Sequence, residues 1–496
     1  MCQVGEGDRY RYQQDGPASA SKKCVKCKDA SAAMVIRAGD AYCRSCFNES
    51  FVHKFRAMLG KTRVIFPGEK VLLAVSGGPA SCSMLRQVQE GVSQNAHKKL
   101  RFLPGIVYID EGGAVGLSKE MRQKTAFELQ ELFTTTGFPF YILPLEQVLE
   151  LPTSVVMPVQ QQSEPVTGAY KAAVDHFLLH GRKDDVSPEE QENILPCDVN
   201  ESQTCALQQL IGSAKTLTAR EDLLNTLRHH LLVHTARSKG YSKLMLGDSC
   251  TRLAVKLLIS ISLGRGAQLA QDVGFSDSRY GDVISVRPMR DYSAKEIAFY
   301  CHMFNVPYVS VPSLHTKTQD KASIQRLTES FVTKLQTDFP STVSTIYRTG
   351  EKLQTAGRSS SAAADGSRCL LCLCSLDTVT DVASALHATL ISEQLSHTKI
   401  QGPESERSTA EECCSIKGEG TCRGTGGGVV CCSSAKEVDT PDLRELMCYS
   451  CQLTIKDMSS IHHLPHYILS EAQRRHSRSL MREEIREFLL DADEDD

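Results

Sequence analysis

The sequence predicts an α/β fold class with a mostly parallel sheet, and three observations support this prediction. Short apolar runs of strand length recur along the chain, at 71–75, 102–109, 140–143, 243–246 and 283–286. They are continuous rather than alternating, which is typical of strands buried on both faces. The segments between them are long enough for crossover helices. In such a fold, a ligand site is expected where strands end and helices begin.

Helical patterns separate these runs. The segment 118–136 begins at a serine suited to an N-cap and ends before Gly137. Further helices are predicted at 219–239, 251–263 and 293–304. Two polar stretches, 152–164 and 181–203, are predicted to be loops within the same domain.

Length and charge exclude several classes of protein. The 496 residues are enough for two to three domains. No stretch approaches the roughly 20 apolar residues of a membrane span, and residues 1–16 lack the apolar block of a secretory signal, so we expect a cytoplasmic chain without a membrane partner. With 56 Lys plus Arg against 59 Asp plus Glu, the net charge is −3. This excludes a nucleic-acid binder that works by overall positive charge, but not a local basic patch.

Cysteines suggest a metal centre near each end. Nine of the 20 stand in CxxC or CxC clusters, which in a cytosolic chain are typical of metal ligands. The first array has a CxxC-x15-CxxC pattern, and its two tight turns present four sulfurs to a tetrahedral ion. Since sulfur fills all four positions, we predict a structural zinc; free thiols or disulfides remain the alternative. The predicted ligands are Cys24, Cys27, Cys43 and Cys46.

A second array is split by a long insert. Loop-closure entropy grows only logarithmically with length, so the insert costs little. We predict a second structural zinc, with Cys374 as a spare or alternative ligand. The five cysteines within 401–442 can compete for the ion or be bystanders. The predicted ligands are Cys369, Cys372, Cys448 and Cys451.

A glycine loop follows the first predicted strand and opens a helix. Glycine lets backbone amides approach an anion, and a helix N-terminus adds a partial positive charge. The loop is therefore a candidate nucleotide site, although an ordinary strand-to-helix turn explains it too. Its candidate residues are Ser76, Gly77, Gly78 and Ser81.

The order of the motifs resembles a known family. The loop Ser76-Gly77-Gly78 is similar to the SGGxDS pyrophosphate loop of the PP-loop ATPases, which have the adenine nucleotide alpha-hydrolase-like fold. The segments 246–249, 287–289 and 295–297 stand where that family has its TGHN-type, RPL and KE(I/V) motifs. With cysteine arrays at both ends, the chain resembles the TtuA/Ncs6 group of tRNA 2-thiolation enzymes, and more closely the paired subunit of these enzymes.

The chain departs from that pattern where the family does its chemistry. Ala80 replaces the loop acid, and Thr251 and Arg252 replace two acids. An arginine cannot ligate Mg²⁺, which takes carboxylate oxygens and water. The CxxC pair before the long helix is absent at 215–220, and 309–314 lacks a further cysteine. The resemblance therefore implies a degenerate loop with weak or absent nucleotide binding and no catalytic residue.

The remaining candidate functional residues are three isolated cysteines and the basic residues of one segment. Cys82, Cys250 and Cys301 are more typical of packed core residues than of sulfur carriers. The segment 219–266 has eight Lys or Arg against three acids, which suits RNA phosphate, although a solvated helix face explains it equally well. The candidate RNA-binding residues are Arg220, Arg228, Arg237, Lys239, Arg252, Lys256 and Arg265.

The resemblance implies a non-catalytic subunit of a heterodimeric cytoplasmic tRNA thiolase. Its partner would be a catalytic PP-loop subunit of the Ncs6 type that binds ATP. The product would be 2-thiouridine (mcm5s2U) at the wobble position of tRNA Lys, Glu and Gln, with sulfur from the thiocarboxylated ubiquitin-like carrier Urm1. The alternatives are an ATP-dependent tRNA sulfurtransferase active by itself, or a zinc-ribbon interaction scaffold without an RNA role.

Composition predicts the domain boundaries. We expect an N-terminal zinc ribbon at 1–50 and a degenerate PP-loop domain at 51–354. A Ser/Ala/Gly-rich linker at 355–368 follows. A split zinc element at 369–490 with a disordered insert at about 401–442 comes next, and 491–496 form an acidic tail.

Overall fold

A computed structural model describes residues 23–157, 200–353, 368–376 and 443–485, apart from short gaps at 37–39, 97–98, 315, 317 and 320. Within 158–199 it describes Tyr170 and Val174 alone. The insert at about 401–442, the acidic tail and all but one residue of the predicted linker lie outside the described residues.

The centre of the fold is a six-stranded sheet with the order β5-β4-β3-β6-β8-β7. Every neighbouring pair is parallel except β7 with β8, which confirms the predicted mostly parallel sheet. The chain proceeds from β3 outward to β5 and then returns to the other side of β3 with β6. The loop after β3 therefore lies at the point where strand order reverses, which is the usual ligand position in open α/β sheets. The strands are β3 (Lys70–Ala74), β4 (Leu103–Asp110), β5 (Phe140–Pro144), β6 (Lys243–Leu246), β7 (Ser276–Asp277) and β8 (Ile284–Val286), and a separate hairpin consists of β1 (Met34–Val35) and β2 (Ala41–Tyr42).

Thirteen α-helices are present among the described residues. The predicted serine cap at 118 is confirmed, because the Ser118 side chain accepts a hydrogen bond from the Met121 backbone. Ser293 and Glu296 form a capping box at the start of another predicted helix. The helices are α1 (Arg44–Thr62), α2 (Pro79–Val92), α3 (Gly112–Val115), α4 (Lys119–Thr134), α5 (Glu201–Ser213), α6 (Leu217–Ser238), α7 (Cys250–Ser262), α8 (Leu269–Val273), α9 (Ala294–Met303), α10 (Ile324–Asp338), α11 (Pro340–Lys352), α12 (Tyr449–Lys456) and α13 (His466–Glu484).

One loop prediction is wrong at its end. Residues 201–203 were expected in a loop but form the first turn of α5. The reason is local: the Asn200 side chain caps this helix by accepting from the Ser202 backbone, and an acidic residue occupies its first turn. In the other predicted loop, Thr153–Val155 form a short 3-10 turn.

Two apolar layers cover the sheet. On one face, Val71 and Leu73 pack with the aromatic side of α1 and with α2, α4 and α9. On the other face, Leu72 shares a core with α5, α6, α13 and the C-terminal cysteine segments, including Cys369. The C-terminal element is thus continuous with the main core. Within the described part of the chain, no helix is both long and apolar enough to cross a bilayer.

Candidate functional site

The N-terminal metal centre consists of Cys24, Cys27, Cys43 and Cys46. Their sulfurs all lie within 4.8 Å of one another, and those of Cys27 and Cys43 are 4.0 Å apart. A tetrahedral zinc with Zn–S bonds of about 2.3 Å places its sulfurs about 3.8 Å apart. The four thiols therefore fit a structural zinc.

This centre consists of a tight turn at residues 24–28, called here the knuckle, and the first turn of α1. Lys28 adopts a left-handed backbone (φ 63°), and its N–H donates to the Cys24 carbonyl at 2.8 Å, which closes the turn. Cys43 is the N-cap of α1 and Cys46 stands in its first turn. Backbone N–H groups of Cys27 and Cys43 donate to the Cys24 sulfur and lower its pKa to about 6. Donors of this kind favour the thiolate that metals bind.

The C-terminal metal centre, which consists of Cys369, Cys372, Cys374, Cys448 and Cys451, is built in the same way. Leu373 is left-handed (φ 56°), and its N–H donates to the Cys369 carbonyl at 3.1 Å. Cys448 is the N-cap of α12 and Cys451 lies in its first turn. Sequence spacing did not predict that both second halves are helix starts.

The sulfurs of the C-terminal metal centre converge more closely. Those of Cys369, Cys372, Cys374 and Cys448 lie within 4.8 Å of one another, and Cys372 and Cys448 are 3.6 Å apart. Cys374, predicted as a spare or alternative ligand, is therefore in the cluster, 3.0 Å from the Cys372 sulfur. Hydrogen bonding with the thiols of Cys369, Cys372 and Cys448 raises the pKa of Cys451, which is buried in the same core cluster. These donors also fit a tetrahedral zinc.

A buried histidine fastens the C-terminal metal centre to the core. The Leu371 carbonyl can only accept, so Nε2 of His230 on α6 carries the proton and donates to it at 2.7 Å. Nδ1 then accepts from the Tyr467 hydroxyl of α13, also at 2.7 Å. Burial lowers the pKa of His230 to about 4, so the ring is neutral at pH 7.

The glycine loop lies at the carboxyl edge of β3, as predicted, but a neighbouring segment covers part of it. Gly77 has φ 82°, and its carbonyl accepts from the Val309 N–H at 2.9 Å. A Cβ at Gly77 would lie 3.2 Å from the Val309 carbonyl oxygen and 3.4 Å from the Val311 side chain. The Ser81 hydroxyl donates to the Gly78 carbonyl at 3.0 Å and lies 3.3 Å from the Ser76 hydroxyl. Much of the loop is therefore engaged within the chain.

Two thiols reach the loop from its buried side. The Cys82 thiol donates to the Gly77 carbonyl at 3.1 Å, and the Cys301 thiol lies 3.6 Å from the Pro79 carbonyl oxygen. Both residues are buried, as is Cys250, which confirms the prediction of packed core thiols. Burial raises the pKa of Cys82 to about 12, so it stays protonated at pH 7. Across the described ranges, the groups of side chains suited to a metal are the two cysteine centres, and none lies at this loop.

Cations surround the acidic residue at the end of β6. Arg252 lies 3.4 Å from Asp248 and its side chain is 65% exposed, whereas Arg287 is buried and lies 3.5 Å from the same carboxylate. Burial alone would raise the pKa of Asp248, but the charges of Arg252, Lys256 and Arg287 outweigh it and lower this pKa. Asp248 is thus an ionised carboxylate whose negative charge is neutralised by cations of the protein itself.

The candidate RNA-binding residues are mostly engaged inside the protein. Five of them form ion pairs, Arg228 with Glu111, Arg237 with Asp282, Arg252 with Asp248, Lys256 with Asp272 and Arg265 with Asp222. Lys239 lies over the Tyr141 ring and Arg220 donates to the Ala214 carbonyl. The structure does not bring these side chains together as one exposed surface. Arg252 is the candidate with a mostly exposed side chain, and the RNA contact of these seven residues stays a prediction.

Comparison with known proteins identifies the family. The model of the family described as cytoplasmic tRNA 2-thiolation protein 2 matches residues 323–453. Cytoplasmic tRNA 2-thiolation protein 2 of Danio rerio is 55% identical over 507 residues, covering 100% of both chains. The Homo sapiens protein of the same name is 49% identical over 516 residues, covering 100% of this chain and 99% of its own.

A solved structure, the U34-tRNA thiolase NcsA from Methanococcus maripaludis with its 4Fe-4S cluster, aligns with a TM-score of 0.45 and 16% identity, covering 69% of this chain and 91% of that chain. The identities over the full length of the relatives are decisive: the chain belongs to the family of cytoplasmic tRNA 2-thiolation protein 2.

Proposed function

We propose that this chain acts in cytoplasmic tRNA 2-thiolation as the non-catalytic subunit of a heterodimer. Its partner is a catalytic PP-loop subunit that binds ATP and activates the wobble uridine of tRNA Lys, Glu and Gln. The sulfur comes from the thiocarboxylated carrier Urm1. Each of the two cysteine centres holds one structural zinc, and the degenerate glycine loop performs no turnover.

The observation that carries this proposal is the state of the glycine loop. Magnesium-dependent adenylation needs free carboxylates beside the phosphates. Here Ala80 replaces the loop acid, and the carboxylate of Asp248 is matched by Arg252 and Arg287. The thiols near the loop are buried, and a buried protonated thiol is neither a nucleophile nor a sulfur carrier. Within the described residues, no group of side chains suited to a metal lies at this loop and the thiols that contact it are buried, which supports a loop without turnover.

Reconstitution tests the division of labour. The chain alone, the partner alone and the two together are each supplied with ATP, Mg²⁺, thiocarboxylated carrier and tRNA, and 2-thiouridine is measured by mass spectrometry. We expect product with the pair and none with this chain alone. Thiolation by the isolated chain would contradict the proposal.

Binding of tRNA is the second part of the proposal, and Arg252 is its candidate contact. A phosphate contact releases counterions, so its loss weakens binding and reduces the salt dependence of the affinity. Arg252→Glu is expected to weaken tRNA binding by the pair several-fold at low salt. Lys124→Glu on α4, a residue with an exposed side chain, is the charge-matched control. Equal effects of both variants would remove Arg252 from the RNA interface.

A further inference from the structure

The two metal centres share one construction but differ by one thiol. In each knuckle, the N–H of the first cysteine donates to a carbonyl beyond the second cysteine, at 2.8 Å in both cases. The acceptor is Ala30 in the N-terminal metal centre and Cys374 in the C-terminal one. Ala30 is exposed, whereas Cys374 is only 5% exposed.

The two hairpins place Ala30 and Cys374 at matching positions although they differ in length. The flanking bridge joins Lys23 to Ser31 in the N-terminal knuckle and Arg368 to Ser375 in the C-terminal knuckle. The C-terminal hairpin is thus one residue shorter. Ala30 and Cys374 each precede the bridging serine and accept from the first cysteine, so they occupy matching positions. The C-terminal knuckle therefore has a buried thiol where the N-terminal knuckle has an exposed alanine.

Five thiols now face a site that takes four. The sulfurs of Cys369, Cys372, Cys374 and Cys448 lie within 4.8 Å of one another, and Cys451 is buried in the same core cluster. A tetrahedral zinc accepts four sulfurs at about 3.8 Å from one another. The sulfurs of Cys372 and Cys374 are 3.0 Å apart, so Cys374 lies within the same group of sulfurs as Cys369, Cys372 and Cys448. Cys451 has the position in α12 that the ligand Cys46 has in α1.

We propose that the C-terminal metal centre holds one ion through Cys369, Cys372 and Cys448, and that Cys374 and Cys451 compete for the fourth position. Either thiol completes the shell. One of the five is always outside it, and the ion exchanges one ligand for the other without leaving the protein. The N-terminal metal centre has no such replacement among its described neighbours, because its knuckle has Ala30 at the matching position.

Metal content of the purified full-length chain tests this proposal. Zinc per chain is measured by mass spectrometry, and Co²⁺ replaces zinc to report the number of thiolates through its charge-transfer absorption. The variants are Cys374→Ser, Cys451→Ser and the double variant. Cys46→Ser is the matched control, because it removes the counterpart of Cys451 from a centre without a fifth thiol.

We expect both single variants to keep one ion in each centre, with a tetrahedral four-thiolate Co²⁺ spectrum equal to that of the parent. The double variant and Cys46→Ser each lose one ion. The ion left in the N-terminal metal centre shows that the double variant is folded there. Loss of an ion from either single variant, or retention of both ions by the double variant, would overturn the proposal.

Discussion

Each of the two metal centres combines a CxxC knuckle with a CxxC helix start, yet they occupy different parts of the fold. In the N-terminal metal centre, Cys24, Cys43 and Cys46 pack mainly with one another in a small cluster apart from the main core. In the C-terminal metal centre, Cys369 is fully buried and shares a continuous core with Leu72 of the central sheet. The same motif therefore stabilises an appendage at one end and the core of the domain at the other.

The largest expected contrast comes from removing one ligand at each end. Binding of a structural zinc contributes about 10 kcal/mol or more to folding, so Cys369→Ser should cost at least about 5 kcal/mol, close to the whole stability of a domain. Cys24→Ser should unfold the knuckle locally and leave the main transition within about 1 kcal/mol. Thermal unfolding followed by circular dichroism, with limited proteolysis of 23–46, measures both. Equal losses would show that the N-terminal metal centre belongs to the core as well.

Acidification should affect the C-terminal metal centre through His230. Burial lowers its pKa from 6.5 to about 4, so between these values the unfolded chain binds a proton that the folded chain does not. Stability therefore falls as the pH falls below 6.5, by about 2 kcal/mol at pH 5. His230→Gln keeps a donor for the Leu371 carbonyl and an acceptor for the Tyr467 hydroxyl but does not titrate.

Urea unfolding of the parent and of His230→Gln at pH 7.5 and pH 5 isolates this contribution. Protonation of the metal ligands is common to both proteins, so the difference between their pH dependences reports His230 alone. Parallel losses in the two proteins would show that the histidine has no part in the acid sensitivity of the C-terminal metal centre.

The sequence predicted the strands, the glycine loop and the two cysteine arrays, but not how deeply each array is buried in the fold. The strands, the loop of Gly77 and the convergence of each cysteine array followed from apolar runs and spacing, which are local signals. The burial of Cys369 depends on packing against α6 and α13, which no local pattern encodes. The ion pairs of Arg228 and Arg265 depend on acids far away in the sequence, so a count of basic residues does not show which of them are already paired.

The smallest expected effect is a change in stability on substitution by glycine, and its sign should differ between the two knuckles. Lys28 and Leu373 occupy the same left-handed position, which costs a residue with a side chain about 1–2 kcal/mol. Lys28 is exposed, so Lys28→Gly relieves this cost and, after the entropy that glycine loses on folding, should stabilise the protein by about 0.5 kcal/mol. Leu373 is 2% exposed, and losing a buried leucine costs about 2–4 kcal/mol. Leu373→Gly should therefore destabilise by about 1.5–3.5 kcal/mol in the same urea assay. Changes of the same sign would mean that the two knuckles do not differ in burial as the fold indicates.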